Sequence, residues 1–228
     1  MAKHAFFVTG TDTDAGKTLV TQGLLEAVNR AGLRTFGLKP VAAGCEQTPD
    51  GLQNDDALKL QAAANVKLPY EQVNPIALEP AIAPHIAAQK IGKPLSASRL
   101  AGYCQGAMLQ PVDCVFIEGA GGWRVPLNSR ETLAQLAIEL NKPVILVVGM
   151  KLGCINHALM TAECIRRDGL TLAGWVANRV DPEMSEFEAN LDTLKAMIPA
   201  PLLGVVGHLS PVTVDAVADA LDISPLLA

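Results

Sequence analysis

A chain of 228 residues, 50% of them hydrophobic and only 4% aromatic, is long enough to bury a real core in one large α/β domain. A formal net charge of -5 and the lack of any long basic run argue against a nucleic-acid partner, which calls for a positive footprint. The longest apolar run, PVILVVGM, is strand-sized, and MAKHAFFVTG shows no cleavable signal pattern, so a cytoplasmic protein without a membrane partner is expected. The cysteines, at 45, 104, 114, 154 and 164, are odd in number and lack metal-type spacing. They read as free thiols in a reducing compartment, each a small buried hydrophobe.

Short apolar runs alternate with segments of helical period. HAFFVTG (4–10) predicts a first strand, bounded by Gly10. Residues 16–30 predict a helix, with Leu19, Leu24, Ala27 and Val28 near one face and Gly32 as its stop. RTFGLKPV (34–41) predicts a second strand, and 55–64 a short helix. The proline-rich stretch 66–95 reads as mostly loop, an excursion facing substrate. Residues 96–109 predict a helix capped by Ser96 or Ser98. DCVFIEGAGG (113–122) is a buried strand entering a glycine-rich turn, followed by a helix over 132–140. KPVILVVGM (142–150) is apolar throughout, as central parallel strands are. Helices over 154–167, 185–197 and 213–221 then alternate with strands over 170–180 and 200–207. This order implies right-handed crossovers and one domain, 1–228, built on a parallel sheet with helices on both faces. Ligands in such sheets bind at the carboxyl ends of the strands.

The segment VTGTDTDAGKTLV (8–20) carries the clearest chemistry. The common phosphate loop separates its glycines by four residues, whereas five lie between Gly10 and Gly16. The context is nonetheless strand, glycine-containing loop, Gly-Lys-Thr, helix. Free N–H groups and the helix dipole favour an anion there. Lys17 is placed to neutralise the outer phosphates, and the Thr18 hydroxyl to ligate Mg²⁺. Aspartates among phosphate contacts are unfavourable unless they point away, meet a metal or touch a second, amine-bearing substrate.

Other candidates stand at strand ends. Lys39 is positioned to stabilise a transferring phosphoryl group or an anionic substrate. In NDDA (54–57), Asp55 complements a helix dipole and Asp56 is a candidate metal ligand. Glu118 follows an apolar strand and would bring a second carboxylate to Mg²⁺, while Gly119, Ala120 and Gly121 allow close backbone approach to a ligand. KLGCINHA (151–158) opens a helix, and Gly153, Cys154 and Asn156 form a candidate anion site for a substrate carboxylate. His157 reads as a surface or capping residue. Asn178 has an amide that both donates and accepts, as adenine recognition requires.

Taken in order, VTGTDTDAGKT, GLKPVAAG, NDDALKLQ, VNP…PH, EGAGGW…PL, PVILVVGMKLGCINHALMTAECI, GLTLAGWVANRV and MIPAPLLG resemble the dethiobiotin synthetase family nearly from end to end. The resemblance implies a phosphate-loop NTPase-like homodimer that takes 7,8-diaminononanoate, CO2 and Mg-ATP. It implies a carbamate, then a carbamic-phosphoric anhydride, then ring closure to dethiobiotin with release of ADP and phosphate. It places Asp14, Ala15, Gly16, Lys17, Thr18 and Leu19 in the phosphate cradle, and Thr18, Asp56 and Glu118 on the metal. It puts Thr13, Lys39 and Ala43 near the carbamate, with Lys17, Lys39 and Thr13 catalytic. Asn178 and Arg179, with Gly207, His208 and Leu209, fall at the adenine edge. Gly153, Cys154 and Asn156 fall at the substrate carboxylate, close to the dimer interface.

The chain departs from the family's usual Val at Ala15, its frequent Ser at Ala43 and its frequent Pro at Gly207. Amidoligases of the cobyrinate type carry a similar loop but add a glutaminase domain, which 228 residues do not supply. Partitioning ATPases carry a second lysine early in the loop, where this chain has Thr11, Asp12 and Thr13. A degenerate regulatory copy is disfavoured by the retention of Lys17, Thr18, Lys39, Asp56 and Glu118.

Overall fold

The computed structural model describes residues 3–208 and 211–227. In chain order it forms β1 (His4–Gly10), α1 (Lys17–Arg30), β2 (Thr35–Leu38), β3 (Val41–Ala43), β4 (Glu46–Thr48), β5 (Gly51–Gln53) and α2 (Asp55–Ala63). There follow α3 (Tyr70–Val73), β6 (Ile76–Leu78), α4 (Pro84–Lys90), α5 (Ala97–Ala107), β7 (Cys114–Gly122), α6 (Leu133–Leu140) and β8 (Val144–Gly149). The remainder is α7 (Cys154–Arg167), β9 (Leu172–Asn178), α8 (Phe187–Met197), β10 (Leu202–Val206), α9 (Val214–Asp219) and α10 (Ser224–Leu227).

Six strands pair in parallel in the order β10-β9-β8-β1-β7-β2. Both faces of the sheet are apolar, as the expected central strands require. Along β1, Phe7 enters the larger core with Ile117, Leu146 and Trp175. Phe6 and Val8 enter the other with Phe116, Val147 and Val176. Helix α1 covers that second face through Val20, Leu24, Leu25 and Val28, while Leu19 and Ala27 are only half-buried. The registers Gly10↔Val147 and Gly149↔Asn178 bring the carboxyl ends of β1, β8 and β9 to one edge. That edge is where the site lies.

Several boundaries differ from expectation. The second strand ends at Leu38, because Pro40 cannot donate to a ladder. Val41–Ala43 is a separate strand, paired in parallel with β6. The stretch 66–95 is mostly loop, as expected, but it also holds α3, β6 and α4, with Pro84 at the first position of α4 where its missing N–H costs nothing. A hairpin, β4–β5, was not legible in the polar EQT and GLQ segments. Ser96 caps α5 by accepting from the Arg99 N–H, and Thr213 caps α9. Among the described residues no helix is long and apolar enough to cross a membrane.

All five cysteines are free thiols, and only Cys164 is not fully buried. Burial pushes the Cys104 and Cys114 thiols up to about 12. Both stay neutral in the fold while the unfolded chain ionises near its usual 9.0, so stability is full below that value and falls as pH rises between the two. Native protein at mildly alkaline pH should therefore titrate one thiol quickly with a disulfide reagent, and the rest only in denaturant. Rapid reaction of all the thiols in folded protein would contradict this packing.

Candidate active site

A cleft of about 810 Å³ opens at the carboxyl edge of the sheet, between the 10–18 loop, the start of α2 and the 81–84 segment. The loop is built in two halves. Its first half is fixed to the neighbouring strand: Thr11 N–H donates to Val147 O at 3.0 Å, and Gly149 N–H donates to Thr11 Oγ1 at 3.2 Å. Asp12 turns away from the cleft, its Oδ2 lying 2.9 Å from His157 Nδ1 and 3.8 Å from Lys151 Nζ. This is the first of the outcomes open to an acid in this loop. His157 is exposed, as expected of a surface residue, and is also a partner of the loop.

The second half faces the cleft. Thr13, Asp14, Gly16, Lys17, Thr18 and Leu19 line it, whereas Ala15 is buried beneath. Asp14 and Gly16 both have positive φ, 60° and 86°, which bends the chain so that its N–H groups form a concave turn. Beneath the turn, Asn178 Nδ2 donates to Ala15 O at 3.0 Å. Lys17 Nζ reaches back to Asp12 O at 3.0 Å, closing the loop on itself. Burial, and then the nearby Lys39 charge, lower the Lys17 ammonium to about 8. An anion arriving in the turn offsets both effects and restores the full charge.

Beside the loop lies an ionic cluster. Glu118, 0% exposed, accepts through Oε1 from Thr18 Oγ1 at 2.8 Å and from Lys39 Nζ at 2.6 Å. Lys39 also bonds to Gly119 O at 3.1 Å and pairs with Asp56 Oδ2 at 3.3 Å. Burial alone would pull the Lys39 ammonium down, but Glu118 and Asp56 outweigh it and hold it above its ordinary value. For Asp56 burial pushes upward, and Lys39 and Thr18 bring the carboxyl below its usual range. Glu118 Oε2 is buried and has no hydrogen-bond partner among the described residues.

An oxygen set of one hydroxyl and two carboxylates, one with an orphaned oxygen, fits a hard cation such as Mg²⁺. Among the described residues no group of three or more His, Cys, Asp or Glu could cage a metal by itself. An ion such as Mg²⁺ usually keeps several waters and takes phosphate oxygens among its ligands.

The expected residues divide into two groups. Lys39, Ala43, Asp56, Ala120 and Gly121 join the loop in lining the cleft, with Glu118 and Gly119 directly behind Lys39. Gly153, Cys154 and Asn156 do not line it. Gly153 and Asn156 are exposed and Cys154 is buried in the core, with the neighbouring Leu152 95% exposed. Arg179 is turned from the cleft, its guanidinium 4.8 Å over the Phe187 ring and bonded to Pro182 O. Gly207 and His208 are exposed at the end of β10, and Leu209 lies outside the described residues. Asn54, Ala42, Val125, Pro126 and the 81–84 segment line the cleft but carried no individual signal. Only the Asn before Asp-Asp, a helix-cap residue, was there to be read.

A looped strand–helix junction with a buried lysine and paired carboxylates, on a parallel sheet, defines a nucleotide-binding enzyme of the phosphate-loop class. The septum site-determining protein MinD, complexed with Mg-ADP, from Pyrococcus horikoshii shares this fold with a TM-score of 0.55 at 17% identity, over 95% of this chain and 86% of that one. A family model described as an AAA domain matches residues 4–215. The ATP-dependent dethiobiotin synthetase BioD of Cellvibrio japonicus is 61% identical over 227 residues, 100% of this chain and 99% of the relative. Its namesake from Marinobacter nauticus is 58% identical over 210 residues, 92% of this chain and 90% of the relative. The chain belongs to the ATP-dependent dethiobiotin synthetase family.

Proposed function

We propose that this chain closes the ureido ring of dethiobiotin from 7,8-diaminononanoate and CO2, with ATP as co-substrate. It is an ATP-dependent cyclo-ligase of biotin biosynthesis. The observation that carries the reading is the Lys39 ammonium, held between Asp56 and Glu118 in the cleft that Lys17 also lines. The reaction must bring a carbamate and a triphosphate together, and both are anions. Two buried lysines converging on one cleft answer that repulsion, in a dry setting where each charge acts strongly.

One substrate amine adds to CO2 and loses a proton, giving the carbamate. Thr13 and Lys39 hold it beside the loop, and Ala43 lines the same wall. A carbamate oxygen attacks the γ-phosphorus and ADP leaves, with Lys17 countering charge on the transferring group. The second amine attacks the carbamoyl carbon and expels phosphate, which closes the ring. Thr18, Asp56 and Glu118 would hold Mg²⁺, which when bound supplies positive charge to the phosphate oxygens. Asn178, with Gly207 and His208 at the end of β10, forms the adenine edge, to which Arg179 brings only its backbone because its guanidinium lies over Phe187. Asn178 spends its Nδ2 on Ala15 and offers adenine its carbonyl oxygen.

The active form is a cytoplasmic homodimer of one-domain chains. The exposed Gly153 and Asn156 at the start of α7, with the Cys154 backbone between them, then serve the substrate carboxylate at the interface rather than in this chain's own cleft. A product assay tests the reading: mass spectrometry after mixing with Mg-ATP, bicarbonate and 7,8-diaminononanoate, each omitted in turn. A product carrying one added carbonyl, with ADP formed only in the complete mixture, is expected. ADP release without the diamine would point instead to a switch-like ATPase.

A further inference from the structure

Lys39 and Asp56 come from different elements, yet their charged atoms must meet at one point beside Glu118. The segment 70–74 does not line the cleft, but it grips the supports of both. Lys39 N–H donates to Val73 O at 2.8 Å, and Asn74 Nδ2 donates to Lys39 O at 2.6 Å. Asn74 Oδ1 accepts from the Tyr70 hydroxyl at 3.0 Å. That hydroxyl accepts in turn from the backbone N–H of Asn54 at 2.7 Å. Asn54 caps α2, its Oδ1 accepting from Ala57 N–H, and Asp56 stands in the first turn of that helix.

An unbroken line of hydrogen bonds therefore runs from the Lys39 carbonyl, through Asn74 and Tyr70, to the cap that carries Asp56. Lys39 is 4% exposed, Asn54 8% and Asn74 3%, so water competes poorly for these bonds. Burial holds the Tyr70 phenol above its ordinary value, which keeps it a donor. Phenylalanine would fill the same volume, and Asn54 already caps α2 with its own side chain. The hydroxyl is needed for neither packing nor capping. Besides satisfying the Asn54 N–H and the Asn74 carbonyl oxygen, it fixes the distance between them.

We propose that Tyr70 and Asn74 are positioning residues that set the separation of the Lys39 ammonium from the Asp56 carboxylate. The catalytic consequence rests on the reading of function given above; the geometric consequence does not. Displacements of an ångström at a reacting centre can cost about 10²-fold in rate.

The test compares Tyr70→Phe and Asn74→Asp with the parent protein, well below their melting temperatures. Tyr70→Phe removes one oxygen, and Asn74→Asp replaces the donor that faces the Lys39 carbonyl by an acceptor. Expected are a kcat about tenfold lower for Tyr70→Phe and lower still for Asn74→Asp, with the KM for ATP within about twofold. Calorimetric binding of ADP without divalent cation should be unchanged. Binding of Mn²⁺ to the ADP complex, followed by electron paramagnetic resonance, should weaken several-fold. Parental kcat and parental Mn²⁺ binding in folded Tyr70→Phe would overturn the proposal, even with a lowered melting temperature, because the bonds would then serve stability alone. Should Asn74→Asp fail to fold, Tyr70→Phe decides. Should the parent make no dethiobiotin, the functional reading fails, and Mn²⁺ binding alone decides the positioning role.

Discussion

Replacing Lys39 by alanine should lower turnover by at least about 10²–10³-fold and leave nucleotide binding largely intact. On the proposed reading the phosphates are gripped by the 14–19 loop and Lys17, whereas Lys39 lies behind Thr18, paired with Asp56 and Glu118. The same change carries a second, separable effect. Glu118 is 0% exposed, and without Lys39 its only remaining side-chain partner among the described residues is the Thr18 hydroxyl. Breaking a buried pair by removing one member typically costs about 3–5 kcal/mol. Urea unfolding of Lys39→Ala should show a loss of that order. Adding Glu118→Gln removes the stranded charge and should recover most of the stability but none of the turnover. Recovery of both would reduce Lys39 to a counter-ion for Glu118, and full activity in Lys39→Ala alone would end its catalytic assignment.

That separation was not visible in the sequence. Lys39, Asp56 and Glu118 each stood out alone, because a charged residue after an apolar strand or at a helix start has few structural reasons to be there. Their meeting depends on sheet order: β7 lies between β1 and β2, so Glu118 falls between the phosphate loop and Lys39. The long apolar strands and amphipathic helices were legible because burial imposes a period. The hairpin β4–β5 and the pairing of β3 with β6 were not. Their strands have three residues each, and no period can be read over three. Prolines in 66–95 suggested loop, yet Pro84 starts a helix and Pro75 only precedes a strand. The Gly153–Asn156 segment was read as a candidate anion site, but its absence from the lining of this chain's cleft was not legible, since exposure is a property of the assembled fold.

Gly16→Ala should cause a large loss of nucleotide affinity. Gly16 sits at φ 86°, where an L side chain costs about 1–2 kcal/mol. A Cβ there would stand 2.0 Å from Asn178 Nδ2, the atom that holds Ala15 O. Asn178 is 5% exposed and cannot swing into solvent, so the loop itself must move. Overpacking of this kind adds about 1–3 kcal/mol, and the lost hydrogen bond about 1 more. Stability should fall by roughly 3–6 kcal/mol. The KM for ATP should rise about 10²-fold, since every 1.4 kcal/mol taken from binding is about tenfold. Melting with and without ADP separates the two effects. A phosphate cradle predicts that the ADP-induced rise in Tm nearly vanishes in Gly16→Ala, while a merely structural turn predicts a lower Tm with the rise retained. Asn178→Ala in the same chain removes the clash but not the positive φ. It should return part of the stability and little of the affinity, because the N–H groups that face the phosphates are aimed by the backbone of Gly16 and not by the space around it.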